Sequence, residues 1–327
     1  MDEIYIDALR SVLTGHCTPQ AVRAIEGGRS AARLWEALEQ SGFADALLPE
    51  ADGGAGLSLA EAFPLIELCG TFVIPVPLAE TMMARSLLAQ AGLQRPTGSI
   101  AWARGHRLDD GTLVCDRVGC GRVADWVLAA LDDTFLLLPT DAASMGDAIA
   151  ALDATLSWPA SAQAGAQPMP AIPDLQTLQA CVLAAQLAGA LASVFTRTLQ
   201  YANDRNQFGR PIGKFQAIQH QLSVISEHVF AARMAAQMGC TTDRLRVAIA
   251  KARTSEAALE VAALSHSIHG AIGFTAEFDL QLYTRRLHAW RQAAGSESYW
   301  HDVIGAEMVD HRQGLALDLI RVTTDPA

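Results

Sequence analysis

Arg205-Asn-Gln-Phe-Gly-Arg-Pro-Ile-Gly-Lys-Phe-Gln216 is a short glycine- and proline-rich reversal set between two long segments of helical periodicity. Gly209, Pro211 and Gly213 suit a tight reversal, since glycine tolerates positive φ and proline presets its own. Before it, Leu178, Val182, Leu187, Leu191, Phe195 and Leu199 recur at helical spacing with alanine padding between them, which predicts a core helix over 174–204, apolar on every side. After it, Ile218, Leu222, Ile225, Val229 and Met234 predict one apolar face on a second helix starting near 214. A third helix is predicted over 243–267, with two more beyond Asp279. Helices joined by short turns make an up-and-down bundle. Within the reversal, the guanidinium of Arg205 and the amide of Gln207 suit a pyrophosphate. A plain turn whose arginine pairs with a surface carboxylate accounts for the same residues, so this stretch alone leaves both readings open.

On the N-terminal side, Pro168-Met-Pro-Ala-Ile-Pro173 reads as a linker. Between 96 and 172 the texture is one of short apolar runs, Thr112-Leu-Val-Cys115, Trp126-Val-Leu-Ala129 and Thr134-Phe-Leu-Leu-Leu138, bounded by Gly and Asp. That pattern predicts a small β domain. From 1 to 95 helical spacing returns, through Ala31-Leu34-Leu38 and Ala60-Phe63-Leu65-Leu68, with a loop over Pro49–Gly56 between them. The predicted fold is therefore mostly α with a small middle β domain, divided as 1–95, 96–172 and 173–327.

Composition narrows the function classes. Half of the 327 residues are apolar and 18% are charged, which excludes disorder. A net charge of −11 argues against nonspecific nucleic-acid or anionic-membrane binding. The start, Met1-Asp-Glu-Ile-Tyr5, has no basic region followed by an apolar one, which predicts no secretory signal and a cytoplasmic location. Gln179–Phe195 is alanine-rich and interrupted by Gln186, so it reads as a bundle helix and not a membrane span. Six dispersed cysteines form no CxxC unit, and neither a disulfide framework nor a metal site is expected; Cys115 and Cys120 are the one pair near enough to meet across a turn. Gly119-Cys-Gly-Arg-Val-Ala124 matches a dinucleotide pattern, but no βαβ unit surrounds it and a tight turn is the simpler account. His220 and His228, and likewise His266 and His269, lack the glutamate of an HExxH zinc pattern. Ser298 has no positioned base, His301 and His311 read as surface residues of the last helix, and Trp290 and Trp300 as packing residues.

A second segment raises the weight of the reversal: Ser267-Ile-His-Gly-Ala-Ile-Gly-Phe-Thr275, then Glu277, Asp279, Leu280, Tyr283, Arg285 and Arg286. Gly270 and Gly273 permit backbone N–H groups to approach an anion. Together the two segments resemble the C-terminal bundle of the acyl-CoA dehydrogenase superfamily. The loop Leu48-Pro-Glu-Ala-Asp-Gly-Gly-Ala-Gly-Leu57 and the segment Pro75-Val-Pro-Leu-Ala-Glu80 resemble that family's N-terminal domain, in the same order.

The resemblance implies an N-terminal helical domain, a reduced β domain, a C-terminal four-helix bundle, and FAD at a subunit interface. Arg205, Gln207 and Phe208 are then expected to contact the adenosine-diphosphate half of an FAD held mainly by a neighbouring chain. Gln216 and the segment with Ser267, His269, Gly270 and Gly273 complete the clamp, and Ser296 is a further cofactor-binding position. Ser267 departs from the family, which usually has glutamine there. The middle of the chain departs further: the flavin-ring loop and the aromatic-Thr-Asn strand end are absent, and Ile100-Ala-Trp-Ala-Arg104 passes almost directly into Asp109-Asp-Gly-Thr-Leu113.

The catalytic base is also missing. Dehydrogenation of a thioester needs a carboxylate to take the α-proton while the flavin accepts the β-hydride. Most family members place a glutamate just before a Gly-Thr/Ser pair; here Gly295-Ser296 follows Ala294. A minority place it on the first bundle helix, where this chain has Gln179. Glu297 stands three residues beyond Ala294, about 300° around a continuous helix. The expectation is an FAD-dependent subunit lacking its own base. Its partner is then a related chain, with acyl-CoA as substrate and a separate electron acceptor. The alternatives are a homodimer or homotetramer using Glu297 as a displaced base, and a non-catalytic structural paralogue.

Overall fold

The computed structural model describes residues 3–131, 134–147, 151–170 and 174–310, with 315, 317–318, 321 and 323 beyond them. The end of the proline linker at 171–173 and His311 lie outside the described residues. The chain is mostly helical with a small β region, and its contacts divide it into two compact units.

The first unit takes in residues 1–62 and 74–175. Its helices are α1 (Glu3–His16), α2 (Pro19–Glu26), α3 (Ala32–Gln40), the start of α4 (Leu59–Thr71) and α5 (Leu78–Gln90). A reciprocal pair opens α4: the Glu61 N–H donates to Ser58 Oγ at 3.3 Å, and the Ser58 N–H donates to Glu61 Oε2 at 2.9 Å. This capping box satisfies two otherwise orphaned donors. Arg85 of α5 is buried and holds the helices together through Glu39, Asp45 (3.1 Å) and the Gly98 carbonyl (3.1 Å). Burial works to raise the Glu39 carboxyl, but the bonds and charge of Arg85 outweigh it and leave it below its ordinary value.

The β region begins with β1 (Ile100–Arg104), β2 (His106–Arg107), β3 (Leu113–Val118) and β4 (Trp126–Ala130). It continues with β5 (Thr134–Pro139), β6 (Ser144–Gly146), β7 (Ala154–Trp158) and β8 (Gln167–Pro170). One sheet has the order β1-β4-β5-β8 and the other β2-β3-β7-β6; β1 and β4 are parallel, the remaining pairs antiparallel. Inward residues of both sheets, among them Leu113, Val127, Leu138, Leu156 and Trp158, share one core. The Gly119–Ala124 stretch is a turn leading from β3 to β4 with no helix following, and Cys120 within it has φ 58°.

The second unit joins Phe63–Val73 to residues 176–327. It contains α6 (Leu175–Asp204), the two-residue strands β9 (Asn206–Gln207) and β10 (Arg210–Pro211), and α7 (Gln216–Met238). Three helices follow: α8 (Arg244–His269), α9 (Leu280–Gln292) and α10 (Glu297–Asp310). Helix α8 packs against α7, α9 and α10, and its buried residues, from Val247 to Ile268, are mostly small and lie on all its sides. Glycines set the closest approach of α6 to α4. A Cβ on Gly70 would lie 1.8 Å from the Gln186 carbonyl oxygen, and one on Gly189 would lie 1.9 Å from that of Glu67. The Ser193 Oγ donation to the Thr71 carbonyl (2.8 Å) completes that crossing, and the Arg233–Glu67 pair (2.6 Å) ties α7 to α4.

Four expectations change on inspection. At 30 residues, α6 is long and apolar enough to cross a membrane by length and composition, contrary to the shorter Gln179–Phe195 reading, but 72% of its most apolar window is buried within the protein. Leu199 and Met234 are exposed, at 40% and 64%. Met234 follows Val229 by five residues, or about 140° around a helix, so it leaves the stripe that Leu222, Ile225 and Val229 form. None of the six cysteines forms a disulfide, and the sulfurs of Cys181 and Cys240 meet at 4.0 Å, a pair that sequence spacing did not suggest.

Candidate functional site

The reversal at 205–216 folds as a hairpin. Gln207 pairs with Arg210, leaving Phe208 and Gly209 as a two-residue connection with φ 52° and 79°. Two successive positive φ values define the type I′ turn, whose twist matches that of paired strands. A bulky residue in this conformation is strained, and here its ring is 92% exposed. Arg205 and Gln207 are exposed beside it, and Gln216 opens α7. Among the described residues Arg205 makes no ion pair, so its guanidinium is available to an external anion.

At the end of α8, Gly270 takes φ 65° and begins a 3-10 turn over Gly270–Phe274. A Cβ on Gly270 would meet nothing within 4 Å, whereas one on Gly273 would lie 3.0 Å from His269 Cβ and 3.1 Å from Leu280. Gly270 therefore leaves open space, while Gly273 is required by packing. Ser267 Oγ accepts from Gln221 Nε2 at 3.4 Å. His269 is buried and stacks on Tyr201 with ring centroids 4.3 Å apart, and the Tyr201 hydroxyl donates to the His269 carbonyl at 3.3 Å. Its Nδ1 lies 2.8 Å from the Ser265 carbonyl and so carries the proton, which leaves a buried Nε2 acceptor with no partner among the described residues. Burial holds this histidine below its ordinary pKa, so it is neutral near pH 7. A cavity of about 400 Å³ opens alongside, lined by Leu259, His266, Ser267, Phe274 and His288.

Tyr201 lies one turn before the hairpin, so its stack on His269 brings the two motif segments to one end of the bundle. An exposed guanidinium, an amide, an unobstructed glycine and an orphaned acceptor fit the adenosine-diphosphate half of a dinucleotide.

The predicted base position lies at the other end of α6. Helix α9 stops at Gln292, Ala294 takes φ 53° and Gly295 φ 103°, and α10 starts at Glu297. The 300° offset between Ala294 and Glu297 presumed one continuous helix, and this break removes it. The Ala294 carbonyl accepts from Trp300 Nε1 at 3.1 Å and from Gln176 Nε2 at 3.4 Å. Ser296 caps the approach to α10, its carbonyl accepting from the Trp300 N–H at 3.2 Å. Gln179, half-buried, follows Gln176 by three residues and so shares its face of α6. Glu297 is paired with Arg291 and points its second oxygen into a buried position with no partner among the described residues.

The sequence reading missed Lys251, a fully buried residue of α8 whose Nζ donates to Ser255 Oγ, to the Arg291 carbonyl and to the Gly295 carbonyl, each at 2.9 Å. Burial pushes its pKa down to about 7, with Glu297 opposing the shift and Arg291 adding to it. A lysine inside the run Ala248-Ile-Ala-Lys-Ala252, in a chain with only one other lysine, Lys214, was the available signal. Trp300, fully buried, and Tyr201 were likewise not assigned to either cluster beforehand.

Helix α6 carries Gln176 at one end and leads into Arg205 at the other, a separation of roughly 40 Å at 1.5 Å per residue. The residues expected to clamp an anion and the expected base position of one chain therefore lie too far apart to serve the same dinucleotide. Elsewhere, His301 is exposed beside Glu256 at 3.3 Å and Ser298 is exposed. No group of metal-ligating side chains occurs among the described residues.

The profile of the acyl-CoA dehydrogenase C-terminal domain matches residues 177–309. Over 303 residues the chain is 31% identical to acyl-CoA dehydrogenase IpdE2 of Mycolicibacterium smegmatis, covering 90% of this chain and 94% of that protein. Its counterpart IpdE2 in Mycobacterium tuberculosis is 31% identical over 88% of this chain and 90% of the relative. Among solved structures, the ChsE4-ChsE5 complex from Mycobacterium tuberculosis superposes with a TM-score of 0.82 at 22% identity, covering 95% of this chain and 98% of that one. The steroid ACAD Tcur3481-Tcur3483, as its G363A variant, gives a TM-score of 0.79 at 24% identity, covering 93% and 96%. At these identities the structural likeness speaks to fold.

Proposed function

The chain belongs to the acyl-CoA dehydrogenase family, and from that membership we propose that it is the base-lacking subunit of a heteromeric, FAD-dependent enzyme that α,β-dehydrogenates acyl-CoA thioesters. The observation that carries this reading is position 294, where an alanine occupies a turn held on several sides while Glu297, the nearest carboxylate in sequence, is engaged by Arg291. A carboxylate held by a guanidinium is committed to that partner and is not free to turn toward a substrate proton. This disfavours the displaced-base alternative. Gln179 has no ionisable group.

Bound FAD supplies the acceptor for the β-hydride. The residues of this chain that would hold it are Arg205, Gln207 and Phe208, toward the adenosine-diphosphate half, with Ser267, His269 and Gly270 completing the clamp from α8. Because the clamp and position 294 lie roughly 40 Å apart along α6, the reacting centre served by this clamp would be built mainly by another chain. That chain provides the carboxylate that takes the α-proton. The two-chain assemblies named by the structural neighbours support such a pairing, and the steroid named by one of them makes a bulky, ring-bearing acyl group the proposed substrate class. A separate electron acceptor would be a further partner.

The test is to purify the chain alone and co-expressed with a related acyl-CoA dehydrogenase chain from the same genome, and to record visible spectra before and after adding acyl-CoA. Flavin bleaching in the co-expressed sample alone is the expected result. A yellow, active protein from the isolated chain overturns the heteromeric reading, and colourless protein in both samples leaves a structural paralogue.

A further inference from the structure

Lys251 is used by none of the chemistry above, and its surroundings are unusual for a lysine. The side chain is fully buried in α8, yet its Nζ has three oxygen acceptors, each at 2.9 Å. Three acceptors match the three donors of an ammonium group. One acceptor, Ser255 Oγ, lies a turn away on the same helix. The other two belong to a different stretch of chain: the Arg291 carbonyl, in the last turn of α9, and the Gly295 carbonyl, just past the break. A single ammonium therefore ties together the two sides of the reversal whose vertex is Ala294.

The vertex needs such a tie. Ala294, with φ 53°, is one of four non-glycine residues with positive φ among the described residues, and such a conformation persists only when its surroundings over-determine it. Carbonyls in the last turn of a helix also lack intrahelical donors. Charged groups near the ammonium are Glu297 on α10 and Arg291 on α9, which are themselves paired, so the lysine is not the main counter-ion of either. Its directed bonds go to backbone.

We propose that Lys251 is the positioning residue of this site, its buried ammonium fixing the left-handed turn at 293–296 and so the place and direction of whatever residue stands at position 294. The turn is thereby held in a fixed conformation even though the chain has no carboxylate on it. The proposal rests on the reading of 294 as the family's base position for its meaning, but the tie itself is a property of the isolated fold.

The test compares Lys251→Gln and Lys251→Met with the wild-type full chain. Both replacements approximate the lysine's apolar stem; glutamine retains two donors and methionine none. Two readouts are taken without flavin, thioester or partner: amide hydrogen exchange over 291–297, and the indole N–H resonance of Trp300, which donates to the Ala294 carbonyl. Loss of a charge-assisted bond to a buried carbonyl is expected to speed exchange in this segment by on the order of tenfold or more. The expected order is wild type, then Gln, then Met, with the Trp300 resonance shifting in the same order. The Trp158 indole, bonded to the Pro139 carbonyl in the other unit, should not respond. Should methionine prevent folding, the glutamine variant and Ser255→Ala carry the comparison. Equal exchange in wild type and Met, or, should methionine not fold, in wild type, Gln and Ser255→Ala alike, with an unmoved Trp300 resonance, would show that the lysine merely fills space and would overturn the proposal. Because neither readout involves catalysis, that failure would leave the subunit reading standing, and an inactive heteromer would leave the tie standing.

Discussion

Replacing Arg205 by alanine separates a ligand clamp from a structural turn. The residue is exposed and makes no ion pair among the described residues, so folding loses neither a salt bridge nor packing, and unfolding free energy should change by less than about 0.5 kcal/mol. The hairpin does not depend on the side chain: its closure uses the Arg205 carbonyl, which accepts from the Ile212 N–H at 2.8 Å, and the pairing of Gln207 with Arg210. A charge-assisted contact with a pyrophosphate oxygen is worth about 1.5–3 kcal/mol, or on the order of ten- to a hundredfold in affinity. The assay is flavin titration of the apo-assembly, followed by fluorescence, at two ionic strengths. Arg205→Lys should recover part of the loss, since a point charge replaces a fork. Arg210→Ala is the internal control, because that guanidinium sits 4.2 Å over the Phe215 ring of its own chain. Unchanged flavin affinity in Arg205→Ala, with Arg210→Ala no different, would refute the clamp.

Ala294→Glu places a carboxylate at the proposed base position without a new φ penalty, alanine already being strained there; with the chain alone and FAD added, dehydrogenation should rise above its small background, by no more than the 10²–10⁴-fold range of a general base, as measured by dye reduction. Glu80, with one carboxyl oxygen buried and unpartnered, is pushed up to about 7 by burial. A raised folded-state value means stability present below the ordinary 4.5 and lost as pH climbs to about 7. Glu80→Gln should accordingly stabilise the fold by up to about 3 kcal/mol at pH 8 and by little at pH 4, read from denaturant midpoints. Lys251 has the opposite sign: with the folded value at about 7 and the ordinary value at 10.5, the unfolded chain binds the extra proton between them. Stability from this group therefore rises over that window by up to about 1.4 kcal/mol per pH unit, and Lys251→Met should remove the slope. Gly189→Ala places a Cβ 1.9 Å from the Glu67 carbonyl oxygen, so α6 and α4 must separate; a loss of at least about 1–3 kcal/mol is expected, seen as a lower thermal midpoint.

Much of the fold was legible because it rests on local signals. The helices of the C-terminal unit follow from three- and four-residue spacing: α6 and α8 begin and end, and α7 begins, within a few residues of their expected places. The β runs at Leu113, Trp126 and Thr134 were marked by their turn residues. The exposed hairpin at 205–211 was read from glycine and proline, though the positive φ falls on Phe208 as well as Gly209. Periodicity misplaced Met234 and Leu199, since a list of apolar residues at approximate spacing does not reveal where the stripe ends.

The candidate site divides along the same line. Sequence alone determined which side chains are present: Arg205, Gln207 and the Gly270 turn, which we propose as an anion clamp, and an alanine at 294, the position proposed for the base, because residue identity decides whether a group can carry charge or take a proton. Tertiary structure alone decided what those side chains meet. It placed the clamp and position 294 at opposite ends of α6, paired Glu297 with Arg291 across a helix break, brought His269 onto Tyr201, and buried Lys251 against two backbone carbonyls. Such pairings join residues tens of positions apart and depend on how helices cross and where their backbones break, and neither quantity is encoded in the spacing of any one segment.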